Sequence, residues 1–356
     1  SLQDAIDKAK SGETVKLLDD VDLSGGNGDK TGVITIANKD IILDGNHFML
    51  KADGVVNKTS MINVQYTPTG KTVTIKDLKI DSNGEAKHGI NINGASVSVE
   101  TVEIVDGTGY GIVCNNSALS VNGLTTSGNG WGGINVDASD AQDSSLTVLS
   151  ATLNEQNSII FENRNNKNIT ATIEDGSFQK VGAHATDGTN LDKMNITING
   201  GSFAGLSSTS TSAAGQKATI TVNDGTFAVP VSDVADTPDY QVGSSQNGYR
   251  YYETLSEAME DVKDGDTLTN VHASAVYTVT FKYNDGVHDD VEAQLPATFN
   301  LPSVPSRSGY TFGGWSDGTR TFAPEAAVTI QGNTVFNGFW SSNDSSSSHR
   351  PSSGSS

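Results

Sequence analysis

Three ring-bearing side chains recur along the sequence at nearly constant spacing. They are His88, Tyr110 and Trp131, and each lies shortly before an isoleucine in a short apolar run. If each run forms one turn of a stacked coil, this spacing places the rings side by side in one exposed row. Such rings combine an apolar face with a polar edge, which suits them to packing against a sugar. The spacing therefore predicts a glycan-binding strip; the alternative is three unrelated loop residues, with Trp131 folded back over the glycine-rich bend beside it.

Three aspartates follow the last of these rings. Asp137, Asp140 and Asp143 come soon after Trp131 in the chain, and we expect their carboxylates to form the rim of the strip. No metal site and no cofactor are predicted. A calcium site needs about six converging oxygen atoms, which the acidic turns of this sequence do not supply.

Catalytic residues are harder to find. Glycoside hydrolysis uses two carboxylates on either side of the scissile bond, yet the adjacent Asp-Asp pairs lie near the amino terminus, at 19–20, and in a carboxy-terminal segment, at 289–290. The basic candidates Arg164 and Lys167 lie in the polar stretch NRNNKN, which we interpret as a solvated loop. The sequence therefore leaves enzymatic activity uncertain and favours a protein that is not an enzyme.

Composition argues against several classes of function. The chain of 356 residues has 22 Lys and Arg against 42 Asp and Glu, so its formal net charge is −20. An acidic surface repels phosphate backbones and anionic lipid headgroups, which disfavours nucleic-acid binding and membrane-surface roles. The sequence has no run of about 18 apolar residues, so we expect no membrane insertion.

An internal repeat determines the predicted fold. Eight β-branched runs follow one another along the chain, and the central apolar residue of each run recurs at a similar interval. A period in the twenties with alternating apolar residues is typical of a solenoid, in which each turn stacks on the next. The central residues are Leu43, Ile75, Val99, Val121, Val148, Ile173, Ile198 and Val222.

A second column of apolar runs follows the same period. Its central residues are Ile90, Ile112, Ile134 and Ile159, which are again nearly evenly spaced. Two strands per turn at a fixed offset predict a parallel β-helix. Each thin turn of such a coil is stabilised by burial against its neighbours.

The amino terminus carries a helical pattern. Apolar residues at positions 2, 5, 6 and 9 predict an amphipathic helix that ends at Gly12, followed by a strand. We interpret residues 1–20 as a cap on the open end of the coil. The same pattern returns after the last apolar run, so residues 250–276 are predicted to close the far end or to bridge to the next domain.

The opening SLQDAIDKAKSGETVKLLDD, its echo ETLSEAMEDVKDGDTLTN and turns of the GGSF type carry a family resemblance. They resemble the right-handed parallel β-helix (pectin-lyase-like) segments of surface proteins from gut and oral bacteria. The resemblance implies an all-β fold, with a β-helix over residues 21–249.

Residues 277–340 carry a sharper resemblance. The segments YTVTFKYNDG, LPSVPSRSGYTFGGW and TIQGNTVFNGFW are similar to the internalin B-repeat, also called the Listeria–Bacteroides repeat. This implies a small β-grasp-like spacer domain of a cell-surface protein. The aromatic residues Tyr310, Phe312, Trp315 and Trp340 are expected to form its core. The serine-rich residues 341–356 are interpreted as a disordered linker.

The two resemblances imply an extracellular, wall-associated bacterial surface protein, of which this chain is expected to be a monomeric module. The resemblance implies a non-enzymatic adhesin or binding scaffold that contacts glycans or proteins of a host or a microbial community. Two alternatives stay open. One is a polysaccharide lyase or glycoside hydrolase on the β-helix, and the other is a purely structural spacer.

Overall fold

The computed structural model describes residues 1–24, 33–54, 59–185, 191–210 and 217–344. The predicted linker at 341–356 therefore lies mostly outside the described residues. The chain divides into two compact units, Ser1–Thr237 and Pro238–Ser356. Both units are built mainly of β-strands, as the sequence predicts.

The first unit is a β-solenoid of about ten turns. It begins with helix α1 (Leu2–Lys8) and contains a single 3-10 turn, Leu191–Lys193, in its described part. Its strands are β1 (Thr14–Lys16), β2 (Val21–Leu23), β3 (Ile34–Ala37), β4 (Ile42–Asp44), β5 (Met49–Ala52), β6 (Ile62–Gln65), β7 (Val73–Asp81), β8 (Ile90–Asn93), β9 (Ser96–Val105), β10 (Tyr110–Asn115), β11 (Ala118–Ser127), β12 (Gly132–Asp137), β13 (Ser144–Glu162), β14 (Ile169–Ile173), β15 (Ser177–Ala185), β16 (Met194–Ile198), β17 (Ser202–Ser210), β18 (Thr219–Val222) and β19 (Thr226–Phe227).

One column of parallel strands carries the predicted inner row. The order β1, β4, β7, β9, β11, β13, β14, β16, β18 brings all eight predicted residues into register, each beside its counterpart on the next turn. Val99, Val121 and Val148 are all fully buried in this row. The prediction of one continuous apolar row is confirmed, and Val15 of β1 extends it by a further turn.

The second column is also confirmed. It runs through β3, β6, β8, β10, β12, β13, β15 and β17, and it aligns Ile90, Ile112, Ile134 and Ile159. The one cysteine, Cys114, points into the same interior, where burial raises the pKa of its thiol to about 12.

The prediction of two strands per turn is wrong, because the longest strands bend and contribute two segments each. In β7 and β9 the bend falls at Asp77 (φ 50°) and Thr101 (φ 53°), residues that the register of the two strands skips. The segments after the bend form a third column, which begins with β2 and β5. In its last turns Phe178, Phe203 and Phe227 are buried and stacked face to face.

Helix α1 is present where the sequence predicts it. Ser1 and Asp4 form a capping box at its start, and Ile6 is buried. The Gln3 side chain bonds to the backbone of Thr35 in β3 through both its amide oxygen and its amide nitrogen, at 2.8 Å each. These contacts satisfy backbone groups of β3 that would otherwise face water. The role of the helix as a cap, like the handedness of the coil, stays a prediction.

The second unit contains strands that pair mainly antiparallel and one helix, α2 (Leu255–Glu260), in its described part. Val242 and Leu268 share a core with Val279 and Phe281, so residues after 237 pack with the predicted repeat domain. Its strands are β20 (Tyr240–Ser244), β21 (Gly248–Tyr252), β22 (Thr267–Asn270), β23 (Tyr277–Lys282), β24 (Val291–Leu295), β25 (Thr298–Asn300), β26 (Tyr310–Ser316), β27 (Thr321–Phe322), β28 (Ala327–Thr329) and β29 (Thr334–Ser342).

Trp315 is the fully buried centre of this core, and its Nε1 donates to the carbonyl of Pro302 at 2.8 Å. Phe312 packs partly buried against the same core. Tyr310 does not join it as expected. Its ring is 40 % exposed and lies under the guanidinium of Arg307, 3.8 Å from the ring centre.

The helices in the described ranges are all too short or too polar to cross a lipid bilayer.

Candidate ligand-binding face of the first unit

The three predicted rings lie together on the outside of the second strand column. The ring centroids of His88 and Tyr110 are 5.9 Å apart and nearly parallel, while Trp131 stands edge-on to both at 5.8 and 5.6 Å. Tyr110 and Gly132 are register partners on neighbouring turns, which fixes this closeness through the backbone. We call these three residues the ring cluster.

His88 is held in place by the next turn of the coil. Its Nδ1 accepts a hydrogen bond from the backbone N–H of Tyr110 at 2.9 Å, so the ring proton of the neutral imidazole is on Nε2. Burial, together with the positive charge of Lys87, lowers the pKa of His88 to about 4. The imidazole is therefore neutral at pH 7, and the cluster presents an uncharged surface there.

Trp131 is the most accessible of the three, with half of its surface exposed. The ammonium of Lys87 lies 4.5 Å from the centre of its ring, a distance at which a cation is attracted by the aromatic face. Trp131 also packs against the other two rings. This packing differs from the alternative hypothesis, in which the three residues are unrelated loop residues.

A buried carboxylate supports the bend that carries Trp131. Glu155 accepts hydrogen bonds from Thr126 Oγ1 at 2.6 Å and from Asn129 Nδ2 at 2.8 Å. Asn129 in turn accepts from the backbone N–H of Gly107 on the preceding turn, at 2.9 Å. The bend is thus fixed by a hydrogen-bonded network, which sequence reasoning missed because its members lie far apart along the chain.

Asp137 was expected on the rim of the ring cluster, and this expectation is wrong. The side chain of Asp137 is completely buried. Its Oδ1 accepts from the backbone N–H of Arg164 at 3.2 Å, and its Oδ2 accepts from Arg164 Nε. The interpretation of Arg164 as a residue of a solvated loop is therefore incomplete. It is exposed over 58 % of its side chain and is also paired with a buried carboxylate.

Asp140 and Asp143 are exposed but lie away from the rings. They follow β12 in the chain, whereas Trp131 precedes it, and six residues of strand span roughly 20 Å. Their hydrogen bonds are with neighbouring loops: the Asp140 N–H donates to Asn116 Oδ1, and Asp143 Oδ1 accepts from the N–H of Asn168. The expectation that these two carboxylates rim the ring cluster is wrong.

Two further residues belong to this face, Glu162 and His184, which the repeat motifs alone did not indicate. They occupy the same position as Asp137 on the next two turns, because Val136 pairs with Phe161 and Glu162 pairs with His184. Extending the repeat register by one residue would have found them. We call Asp137, Glu162, Arg164 and His184 the charged cluster.

Electrostatics link the charged cluster to the ring cluster. Burial, with the negative charges of Glu162 and Asp137, raises the pKa of Tyr110 to about 12, and Arg164 opposes this shift. Burial and Asp137 likewise raise the pKa of Glu162, which Arg164 and His184 oppose. The Tyr110 hydroxyl is therefore close enough to the charged cluster to feel its charges.

The described residues include no group of three or more His, Cys, Asp or Glu side chains arranged to hold a metal ion. The face thus offers rings, hydroxyl, carboxylate and guanidinium groups for non-covalent contacts.

Comparison of the chain with curated proteins and with solved structures found no match. A family model does match part of the second unit, over residues 277–337. This stretch contains β23 to β28 and part of β29, including the buried Trp315. The matching model describes the Listeria–Bacteroides repeat domain, so residues 277–337 are similar to that domain.

Proposed function

We propose that the chain is a non-enzymatic module of a bacterial cell-surface protein, and that its solenoid binds glycans through the ring cluster. The Listeria–Bacteroides repeat supports a surface protein, since repeats of this family are typical of such proteins. The observation that carries the binding role is Trp131, half exposed beside two further rings.

Apolar rings that are grouped at a protein surface, unlike single exposed apolar residues, often mark a site of interaction. The outer faces of most turns carry Ser, Thr, Asn or charged side chains, such as Thr172 and Thr197 in the first column. A purely structural spacer needs no aromatic cluster on such a polar surface, so the ring cluster supports binding over a spacer role.

The charged cluster supports binding over hydrolysis. A glycosidase needs two carboxylates that reach opposite sides of the scissile bond. Here Asp137 is buried and bonded to Arg164, which leaves only Glu162 of the neighbouring pair accessible to a ligand. A site with one accessible carboxylate and one guanidinium is suited to hydrogen bonding with hydroxyl groups.

The test is binding of the purified full chain to an oligosaccharide array, followed by titration calorimetry of each positive glycan. We expect the parent chain to bind, and Trp131→Ala to weaken binding at least tenfold. Leu149→Ala is the matched control, because Leu149 is 46 % exposed in the same unit and lies outside the ring cluster. Failure of the parent chain to bind any glycan, or equal binding by Trp131→Ala and the parent, would overturn the proposal.

A further inference from the structure

The charged cluster holds a guanidinium in a fixed position at the surface. Asp137 bonds both to the backbone N–H and to Nε of Arg164, so it fixes the start and the end of the same side chain. Arginine normally loses considerable rotamer freedom when it binds a ligand. Here Arg164 loses less rotamer freedom on binding, because the buried carboxylate of Asp137 orders its side chain before any ligand binds.

The Nη donors of Arg164 take no part in its bond with Asp137. Within the described part of the chain, its hydrogen bonds to Asp137 use the backbone N–H and Nε, and no acceptor engages its two Nη atoms. A guanidinium of this kind presents its Nη donors in a rigid plane. They are available to acceptor atoms of a ligand.

An acceptor group lies next to the guanidinium of Arg164. Glu162 Oε2 is 3.9 Å from Arg164 Nε, and 28 % of the Glu162 side chain is exposed. A donor and an acceptor side by side match two neighbouring hydroxyl groups of a sugar, one of which accepts while the other donates. Hydrogen bonds to charged groups are the stronger ones, which favours this pairing.

The charges at the polar end disfavour an acidic sugar. Asp137 and Glu162 outweigh the positive charge of Arg164 there, while Lys87 lies against Trp131 at the other end. The whole chain has a formal charge of −20. The carboxylate of an acidic sugar would be repelled by the carboxylates at the polar end and by the net negative charge of the chain. A neutral sugar meets no such repulsion.

The ring cluster and the charged cluster lie at the two ends of the same strands. Tyr110 begins β10, and Asp137 ends β12, which pairs with it. About five residues of strand, or roughly 16 Å, separate the two ends. Between them Val113, Asn135 and Ile160 are in register on neighbouring turns. Val113 and Ile160 are half-buried there, and Asn135 between them is buried.

We infer that Arg164 and Glu162 form the polar end of the glycan site, that they bind adjacent hydroxyl groups of a neutral oligosaccharide, and that the ring cluster packs on its other end. The inference rests on the proposed function. It adds a second set of contacts, a neutral ligand class and a direction, since the oligosaccharide lies along the strands and across one or two turns of the coil.

The experiment compares the parent chain and Trp131→Ala with three further variants on an array of neutral, sialylated and uronate-containing oligosaccharides, with titration calorimetry of the glycans bound. We expect Arg164→Gln and Glu162→Ala each to weaken binding of neutral glycans about tenfold or more, the effect of losing a charge-assisted hydrogen bond. Arg320→Gln is the matched control, because Arg320 is 60 % exposed and paired with Asp317 in the second unit. Circular dichroism verifies that each variant is folded. Glu162→Ala keeps the test open if Arg164→Gln does not fold, since Glu162 is paired with the exposed Arg164 and not with a buried charge in the described part of the chain.

The outcomes separate this inference from the proposed function. If Trp131→Ala abolishes binding while Arg164→Gln and Glu162→Ala stay within twofold of the parent, the inference is overturned and the proposed function stands. Preferential binding of sialylated or uronate glycans overturns the neutral ligand class. If the parent binds no glycan, both fail.

Discussion

The carboxylate of Asp137 is completely buried, whereas its partner Arg164 is more than half exposed. The pair joins two neighbouring turns of the solenoid, because one partner ends β12 and the other follows β13. A buried charge is tolerated only when it is paired. The exposed arginine is therefore both a stabilising residue and a preorganised surface group.

Arg164→Gln is expected to destabilise the first unit by about 2 kcal/mol, because it leaves a buried carboxylate without its cation. The measurement is urea unfolding followed by circular dichroism. In the double variant Asp137→Asn/Arg164→Gln no buried charge is left unpaired, so it should be more stable than Arg164→Gln alone. Equal stability of the parent and Arg164→Gln would show that the pair contributes nothing to the fold.

The low pKa of His88 predicts that stability depends on pH. The folded protein holds the imidazole neutral down to about pH 4, whereas the unfolded chain protonates it near pH 6.5. Between these values the unfolded state binds more protons, so stability falls as the pH is lowered from 6.5 to 4. The loss attributable to His88 is at most about 3 kcal/mol.

NMR titration of the imidazole signals checks the premise directly, with an expected midpoint for His88 of about 4. His88→Asn is the control, because its amide oxygen can still accept from the Tyr110 N–H while the side chain does not titrate. Unfolding of this variant should depend less steeply on pH between 4 and 6.5. A His88 midpoint between 6 and 7 would contradict the prediction.

The apolar rows could be predicted because each turn repeats the same local signal. Val121 and its counterparts alternate with polar residues in every run, and a near-constant spacing translates directly into stacking. The third column could not be predicted in this way. In the long strands, each segment of this column begins after a bend that needs a positive φ at residues such as Thr101. β-Branched residues rarely adopt this conformation.

The candidate site likewise has one part that the sequence repeat predicts and one part that it does not. The closeness of Tyr110 and Trp131 follows from the period of the strands, so their spacing was sufficient. The pairing of Asp137 with Arg164 depends on where a loop after β13 returns to the sheet, which no repeat encodes. The burial of Asp137 follows from that loop, and it is the reason why this carboxylate does not lie on the predicted rim.

Gly176 occupies a position that no other residue fits. Its φ is +143°, and a Cβ there would lie 2.3 Å from the backbone oxygen of Ala151 on the preceding turn. Gly176→Ala should therefore destabilise the first unit by about 3 kcal/mol or more, through backbone strain and displacement of the neighbouring strand. The measurement is thermal unfolding followed by circular dichroism.

Gly205→Ala is the matched control for this substitution, because the nearest atom to its added Cβ would be Val229 Cγ2 at 3.7 Å, an ordinary contact. We expect its stability to differ from that of the parent by less than about 1 kcal/mol. Similar effects of the two substitutions would mean that the close approach at Gly176 does not constrain the coil.

Phe203 is the middle ring of the phenylalanine stack in the third column. It lies 4.9 Å from Phe178 and 5.2 Å from Phe227, with interplanar angles of 17° and 15°. Phe203→Ala removes both ring contacts and leaves a cavity between two turns, which should cost about 3 to 5 kcal/mol. Phe203→Leu fills most of that cavity and should cost less, since it keeps the apolar burial while losing the aromatic contacts.

Hydrogen exchange with mass spectrometry locates the effect. Because each turn of a solenoid is stabilised by its neighbours, we expect Phe203→Ala to accelerate exchange in peptides from β14 to β19, and less so in β7 and β9, which are several turns away. Equal acceleration throughout the first unit would show that its turns unfold as one cooperative block and would contradict a neighbour-by-neighbour origin of stability. Unchanged exchange in the last turns would contradict the importance of the stack itself.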